Sequence, residues 1–168
     1  MLRWVKMKLN RSAAARKAAV TRKRRAAARK AVLARKRRAA AQKAAIARKI
    51  NAAMRNGADA DLHALSIRQP YVEQIMRGTK RIEYRSMPTR IRGQILIYAS
   101  VAPGSAEEFE KLRLRPGDLP TGVIVGAVEI VDCSGEPGDY EWHLAHPMRL
   151  RTPVPPKNHP QPAWFRPF

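Results

Sequence analysis

Residues 65–85 read LSIRQPYVEQIMRGTKRIEYR, and this stretch decides the fold of the part of the chain that contains it. An apolar run at 63–67 is strand-like, Pro70 precedes a helix-forming run at 71–77, and residues 81–85 are strand-like again. Short apolar runs bounded by Gly or Pro are typical of strands, whereas apolar positions three and four apart are typical of helices. The stretch therefore predicts a strand, a short helix and a second strand, in that order.

The chain that follows this stretch is also rich in strand patterns. They predict, in order, a strand at 94–100, a helix at 107–112 and a long strand at 122–133 with a bulge at Gly126. The tail at 139–168 has six prolines after Leu150. We expect the tail to wrap the domain as extended chain that is closed by Trp164 and Phe165. Four or five short strands with few helices predict an α+β fold, a small, partly open β-barrel with short helices.

A separate N-terminal segment carries almost all of the net charge of +21. Residues 1–58 contain 20 of the 34 Lys and Arg residues and no Asp or Glu, whereas the following residues carry 14 basic and all 13 acidic residues. A charge so concentrated favours a polyanionic partner over a small acidic substrate. The charge boundary therefore predicts a basic arm at 1–58 and a folded domain at 62–168.

The arm is built from three copies of a 13-residue unit, at 13–25 (AAARKAAVTRKRR), 26–38 (AAARKAVLARKRR) and 39–51 (AAAQKAAIARKIN). Ala, Arg and Lys are strong helix formers, and no Gly or Pro interrupts residues 1–56. Repulsion between like charges one turn apart opposes the helix until phosphates neutralise it. We therefore expect a long basic arm that is helical or disordered when free.

Twelve basic side chains of the first two repeats are the expected phosphate-binding residues. Cations that lack neighbouring anions bind any phosphate polymer, independently of its sequence. They are Arg16, Lys17, Arg22, Lys23, Arg24, Arg25, Arg29, Lys30, Arg35, Lys36, Arg37 and Arg38. The same composition permits three other interpretations: a solubilising tail, a nuclear-import signal and a mitochondrial transit peptide.

Several classes of protein are excluded by what the sequence lacks. Cys133 is the only cysteine, so neither a disulfide framework nor a thiolate metal cluster is possible. His143 and His146 lack a third ligand at a usual distance, and no run of 18 apolar residues predicts a membrane span. We therefore expect no metal, no cofactor and no membrane partner. The expected location is the cytoplasm, with nucleoid or ribosome association possible.

Several separated motifs resemble the ASCH (activating signal cointegrator homology) domain, a member of the PUA-like barrel group. The central motif is Gly-x-Lys-x-x-Glu-x-Arg, here at Gly78, Lys80, Glu83 and Arg85. The strand-like runs QILIYAS and GAVEIVDC follow it in the right order. The resemblance covers roughly residues 62–165 and none of the arm. It implies a PUA-like β-barrel.

The resemblance also implies a function. ASCH domains are expected to bind RNA or a modified nucleobase in a cleft that faces a short helix. Some small bacterial relatives hydrolyse the amide of N4-acetylcytidine with a Lys and a Thr of this motif and a downstream Glu. Lys80 matches that lysine, whereas Glu83 stands at the threonine position. An amidohydrolase acting on N4-acylated cytidine is therefore the enzymatic alternative.

The candidate catalytic residues are Lys80, Glu83 and Glu129. Glu83 and Arg85 share one side of a strand, so they either form an ion pair or present an acceptor and a donor fork to a ligand, and Lys80 joins them only if the turn at 78–79 places it before the strand begins. If no bulge intervenes, Glu129 shares strand parity with apolar residues, and a buried carboxylate there needs a partner such as Lys80 or Arg85. These residues are either a proton-transfer set or a polar network that fixes the barrel.

A ligand pocket is expected at Ser66, Gln69, Pro70, Tyr71, Arg85 and Trp142. Arg85 and Gln69 have the donors to read a base edge, and Tyr71 or Trp142 has a ring on which a base can stack. Tyr71 is equally suited to packing the helix against the barrel. Three functions remain open: a nucleic-acid-binding protein whose arm gives affinity and whose barrel gives selectivity, an amidohydrolase, and a structural nucleoid- or ribosome-associated protein.

Overall fold

The computed structural model describes the backbone of residues 2–56 and 62–168. Within the first range it describes the side chains of residues 15–46, 48 and 52. The chain consists of two compact units, with the boundary between Ala44 and Ala45. The expected end of the arm at residue 58 lies outside the described residues.

The basic arm is helical. One helix, α1, covers Leu2–Asn56. At about 1.5 Å per residue such a helix is roughly 80 Å long. All side chains from residue 15 to residue 45 are exposed. The high helix propensity of Ala, Arg and Lys therefore outweighs the repulsion between neighbouring cations.

The second unit contains the last residues of α1 and a curled, six-stranded sheet with two short helices, in agreement with the predicted α+β, partly open barrel. Its strands lie in the order β2-β5-β4-β3-β1-β6. Only β1 and β3 pair in parallel; the other described neighbours are antiparallel. The elements are β1 Ala64–Ile67, α2 Tyr71–Arg77, β2 Ile82–Arg85, β3 Gly93–Ala99, α3 Ala106–Lys111, β4 Val123–Glu136, β5 Asp139–Val154 and β6 Trp164–Phe165.

Both faces of the central strands are buried. On β3, Ile95 and Ile97 belong to a cluster that α2 covers, whereas Leu96 and Tyr98 belong to a second cluster on the other face. This arrangement follows from the alternation of side chains along a strand. Full burial of an aliphatic or aromatic side chain stabilises the fold by about 1.5–3 kcal/mol, so the two clusters dominate the stability of the unit.

The tail differs from its prediction. Residues 139–154 form a single 16-residue strand, β5, which pairs with β4 through a tight hairpin and with β2 on its other side. The many prolines of the tail favoured irregular extended chain over a long strand. The alternating positions Trp142 and Leu144, which are both buried, were the sign of a strand. The predicted closing residues are confirmed, because Trp164 and Phe165 form β6 and pair with β1.

The predicted bulge at Gly126 is also confirmed. Gly126 lies opposite Ile97, but Tyr98 lies opposite Ile124, so Val125 is an extra residue in β4. The pairing of β4 with β5 shifts at this same bulge and at two further places, between Ala127 and Glu129 and between Ile130 and Asp132. These shifts change which side chains of β4 face the core, since one extra residue reverses the alternation.

An ion-pair cluster around one buried carboxylate joins α2 to β5. The Glu73 carboxylate is 8% exposed and lies 2.7 Å from Arg77 and 2.8 Å from Arg149. Burial alone would raise the pKa of Glu73, but hydrogen bonds from Arg77 and Arg149 outweigh burial and hold the pKa below its ordinary value of 4.5. The folded state therefore favours the charged form of Glu73.

This cluster predicts how stability depends on pH. Because the pKa of Glu73 is lower in the folded state than in the unfolded state, its carboxylate stabilises the fold above a pH of about 4.5, and this contribution is lost as the pH falls through the folded-state pKa. Glu73→Gln should lower the free energy of unfolding by about 1.5–3 kcal/mol at neutral pH. It should also flatten the loss of stability on acidification, as measured by urea unfolding at a series of pH values.

Glu110→Gln is the matched control, because Glu110 is exposed on α3. Its profile should follow that of the wild type. A Glu73→Gln profile that runs parallel to the wild type down to acid pH would contradict the role of the cluster.

Candidate functional site

A cleft of about 760 Å³ lies where β1 and β2 face each other without pairing. Its polar and aromatic lining comes from both strands and from the segments that follow β1. The residues that matter for chemistry are Ser66, Arg68, Tyr71, Glu83, Tyr84 and Arg85, and the loop 159–163 forms a further wall. The cleft therefore brings together four of the predicted site residues: Ser66, Tyr71, Glu83 and Arg85.

Arg85 connects the two strands across the cleft. Its Nη2 donates to the Ser66 carbonyl at 2.9 Å and lies 3.1 Å from Glu83 Oε1. The guanidinium carbon is 5.7 Å from the centre of the Trp142 ring, which supports it from one side. Its Nε is buried and has no hydrogen-bond partner among the described residues, which is an uncommon and costly state for a donor.

Lys80 reaches Glu83 because α2 ends at a glycine. Gly78 has φ of 77°, a conformation that glycine adopts without strain, and the amides of Thr79 and Lys80 then both donate to the Gln74 carbonyl. This turn places Lys80 before β2, which meets the condition for Lys80 to join Glu83 and Arg85. Its Nζ lies 3.3 Å from Glu83 Oε2 and donates to the Ile82 carbonyl at 2.6 Å.

The Glu83 carboxylate lies between two cations. One oxygen faces Lys80 and the other faces Arg85, and the residue is 8% exposed. Glu83 and Arg85 thus form an ion pair, which was one of the two arrangements expected, and Lys80 joins it. Lys80 Nζ also lies 5.9 Å from the Tyr71 ring centre and 5.3 Å from the Tyr84 ring centre. The site thus combines hydrogen-bond donors, one carboxylate acceptor and two aromatic rings.

The position of the Tyr71 ring depends on a close approach by Gly104. A Cβ at residue 104 would lie 2.8 Å from the Gln69 carbonyl oxygen and 2.9 Å from Tyr71 Cε2. The amide of Gly104 donates to that same carbonyl. A residue with a side chain at 104 would therefore displace the ring from the cleft wall.

Three predicted pocket residues are not brought into the cleft. Gln69 is 2% exposed, donates to the Pro120 carbonyl at 3.1 Å and accepts from the amide of Glu73. Pro70 is buried at the start of α2. These contacts give Gln69 and Pro70 a structural role in place of the predicted contact with a ligand.

Trp142 is the third such residue. It is 2% exposed, its Nε1 donates to the Met87 carbonyl at 3.0 Å, and its ring stacks on Trp164 at a centroid distance of 5.2 Å. No ligand face remains on this ring. The predicted stacking on a base is replaced by a supporting contact with Arg85.

The expected partner of Glu129 was wrong. Its carboxylate lies 2.9 Å from His146 Nδ1 and not beside Lys80 or Arg85, and its side chain is 42% exposed. The cause is the series of register shifts in β4, which reverses the parity on which the expectation rested. Glu129 therefore lies apart from the cleft.

A second polar cluster lies outside the cleft on β4 and β5. Ser134 Oγ lies 2.7 Å from His143 Nε2, and a Glu141 oxygen lies 3.9 Å from the same nitrogen. In a hydrolytic triad the carboxylate binds the other ring nitrogen, so this cluster lacks that geometry. Among the described residues no group of three His, Cys, Asp or Glu side chains could hold a metal ion. None of the described helices is both long and apolar enough to cross a membrane.

Two cleft residues were missed by sequence reasoning. Arg68 follows β1 directly and is exposed, and Tyr84 is 56% exposed. Strand parity placed Tyr84 on the face opposite to Glu83 and Arg85, yet β2 is an edge strand and the cleft includes all three residues. The sequence signal for Tyr84 was an aromatic residue between the charged motif positions Glu83 and Arg85.

Comparison with known protein families decides what this domain is. The profile of the ASCH domain matches residues 65–153, which is more than half of the chain. The chain belongs to the ASCH domain family. The match runs from β1 to β5 and therefore includes every element that carries Lys80, Glu83 and Arg85.

Two curated relatives extend this result. Both are called Activating signal cointegrator 1, one from Homo sapiens and one from Mus musculus, and each is 36% identical over 80 residues. The similar region is 41% of this chain and 14% of each relative. The likeness to the relatives is thus confined to a small part of their length.

The contacts of Arg85 with Ser66 and Glu83 predict that the stability of this ASCH domain is sensitive to replacement of Arg85. Arg85→Lys keeps the charge but loses the planar fork that contacts Ser66 and Glu83 together, which should lower the free energy of unfolding by about 1–3 kcal/mol. Urea unfolding measures this loss. Arg90→Lys is the control, since Arg90 is exposed and its replacement should change stability by less than about 0.5 kcal/mol. Equal stability of the two variants would contradict the stabilising role of the Arg85 contacts.

Proposed function

We propose that this protein binds nucleic acid through two devices, a basic helix that supplies affinity and an ASCH cleft that selects a base. The observation that carries the proposal is the charge of α1. Residues 1–58 have 20 cations and no carboxylate, and the side chains from residue 15 to residue 45 are exposed. Such a surface attracts a phosphate polymer at long range and releases its counterions on contact.

The twelve predicted phosphate-binding residues all lie within the exposed part of α1. Lys and Arg on a helix surface contact phosphates without reading bases, so this part of the affinity is independent of sequence. The domain at 62–168 carries 14 basic and 11 acidic residues and adds little net charge. Selectivity then has to come from the shape and chemistry of the cleft.

The cleft has the chemistry that a single, splayed-out base requires. The Arg85 guanidinium and Arg68 are donors, Glu83 is an acceptor, and the Tyr71 and Tyr84 rings offer stacking faces. Its volume of about 760 Å³ lies within the usual range for ligand pockets. Unpaired bases are exposed in single-stranded RNA loops, which proteins recognise by stacking and by hydrogen bonds to base edges. RNA or a modified nucleobase is therefore the proposed ligand of the cleft.

The arm predicts a measurable salt dependence. Replacing Arg22, Lys23, Arg24 and Arg25 with Gln should reduce the slope of log affinity against log salt by up to about 0.9 for each phosphate that the arm no longer neutralises. Fluorescence anisotropy with a labelled duplex across a salt series measures the slope. Circular dichroism of each variant checks that the helix is retained.

The matched control introduces four glutamines into the same part of the helix and keeps every cation. It carries the changes Ala15→Gln, Ala18→Gln, Ala19→Gln and Ala26→Gln. Its slope should equal that of the wild type. A slope that the removal of four cations leaves unchanged would contradict phosphate binding by α1.

The cleft predicts binding of uncharged nucleosides, which offer the arm no phosphate. Tyr71→Leu removes the stacking ring and should weaken nucleoside binding by about 1–3 kcal/mol without a change in the salt slope for duplex. Equilibrium dialysis against the common nucleosides and N4-acetylcytidine measures this. Tyr71→Phe keeps the ring and should bind as the wild type does. Equal weakening in both variants, or no nucleoside binding by the wild type, would contradict the proposed cleft.

A second candidate function, hydrolysis of an N4-acylated cytidine, has one observation in its favour. Lys80 Nζ lies 3.3 Å from a carboxylate that lines the cleft, so a proton donor and acceptor are adjacent there. The same incubation with N4-acetylcytidine distinguishes the candidates. Acetate release that Lys80→Met abolishes would make the cleft an active site. Binding of N4-acetylcytidine without acetate release would make it a recognition site only.

A further inference from the structure

We infer that α1 binds two nucleic-acid duplexes at once and therefore holds them together. This inference rests on the proposed function, in which the helix binds phosphate polymers. It goes beyond that function because affinity for one duplex requires cations on one side of a helix only. The inference follows from the distribution of charge around α1.

The cations surround the helix axis. Thirteen Lys and Arg residues lie between Arg16 and Lys43, and all have exposed side chains. An α-helix turns by about 100° per residue, so a 13-residue repeat advances by three turns and roughly 220°. Successive repeats therefore direct their basic groups to different sides. The widest sector of the helix surface without a cation is only about 80°.

No apolar face interrupts this distribution. The large apolar side chains of the exposed part are Val20, Val32 and Leu33, and all are half-exposed. They point about 100–140° apart from one another around the axis. An amphipathic helix that docks on a membrane or a protein needs a continuous apolar stripe, which these residues do not form. The surface chemistry of α1 is thus that of a polyanion-binding rod on every side.

One duplex cannot use all of these cations. A duplex that lies along α1 contacts the side that faces it, and even a helix seated in a major groove, which is about 12 Å wide, turns part of its surface outward. With no cation-free sector wider than about 80°, the outward surface still carries several charges. No carboxylate within residues 1–58 can neutralise them. A second duplex neutralises them with release of its own counterions.

The helix is also long enough for both contacts. Residues 16–43 span about 40 Å, which exceeds one turn of duplex at roughly 34–36 Å. Each duplex can therefore present phosphates to the helix over a full turn. The two duplexes would lie on opposite sides of the same helix.

The test separates bridging from binding in the full-length protein. One DNA duplex is fixed to beads, a second, fluorescent duplex of different sequence is added, and the fluorescence retained by the beads is measured with increasing protein. Anisotropy with the fluorescent duplex alone measures simple binding in the same buffer. Sedimentation velocity establishes whether the chain is a monomer at the concentrations used.

The matched variant keeps the composition of the arm but changes its pattern. Cations and alanines are exchanged within residues 15–45 so that all the cations fall on one side of the helix. This one-sided variant should bind a single duplex with a similar salt slope, but it should retain at least about tenfold less of the second duplex than the wild type. Circular dichroism checks that both arms are helical.

Each result decides a different point. Bridging by monomeric wild type that the one-sided variant loses supports the inference. Equal bridging by both proteins, bridging that requires a dimer, or wild-type binding without retention of the second duplex overturns the inference and leaves the proposed function intact. Failure of the wild type to bind even the single duplex at low salt overturns the proposed function itself.

Discussion

The folded unit depends on how its curled sheet is closed at the gap between β1 and β2. These strands do not pair, and the Arg85 guanidinium spans the gap by joining the Ser66 carbonyl to the Glu83 carboxylate. A planar group with several donors suits this position, because it satisfies two acceptors in fixed directions. The same gap is the cleft, so the contact that holds the barrel also shapes the candidate site. At Arg85 a structural contact therefore coincides with the proposed binding role.

Charge is divided between the two units in a way that assigns them different physical tasks. A rod with cations and no carboxylates acts at long range and without selectivity, whereas the nearly neutral barrel acts only on contact. Salt weakens the first contribution steeply and the second little. Under the proposed function, the ASCH cleft needs only a modest affinity, because the arm would raise the local concentration of any polymer that carries its ligand.

Local sequence signals predicted the local structure well. The segment around α2 and β2, the bulge at Gly126 and the ion pair of Glu83 were readable because they depend on neighbouring residues. Contacts made across the fold were not readable. Trp142 was expected at a ligand but stacks on Trp164, and Glu129 was expected beside Lys80 but lies beside His146. The sequence showed which functional groups Trp142 and Glu129 carry. It did not show the strand register, which decides the side to which each side chain points.

The exposure of α1 has a consequence for the lifetime of the protein. Its Lys and Arg side chains are accessible along the whole stretch from residue 15 to residue 45, and trypsin-like proteases cut after these residues. This stretch has no buried side chain to stabilise it, so it opens locally at little cost, and cleavage follows the fraction of time that it is open. Bound phosphate would hold the helix closed and cover these sites. Occupancy by nucleic acid would then determine how long the arm remains attached to its ASCH domain.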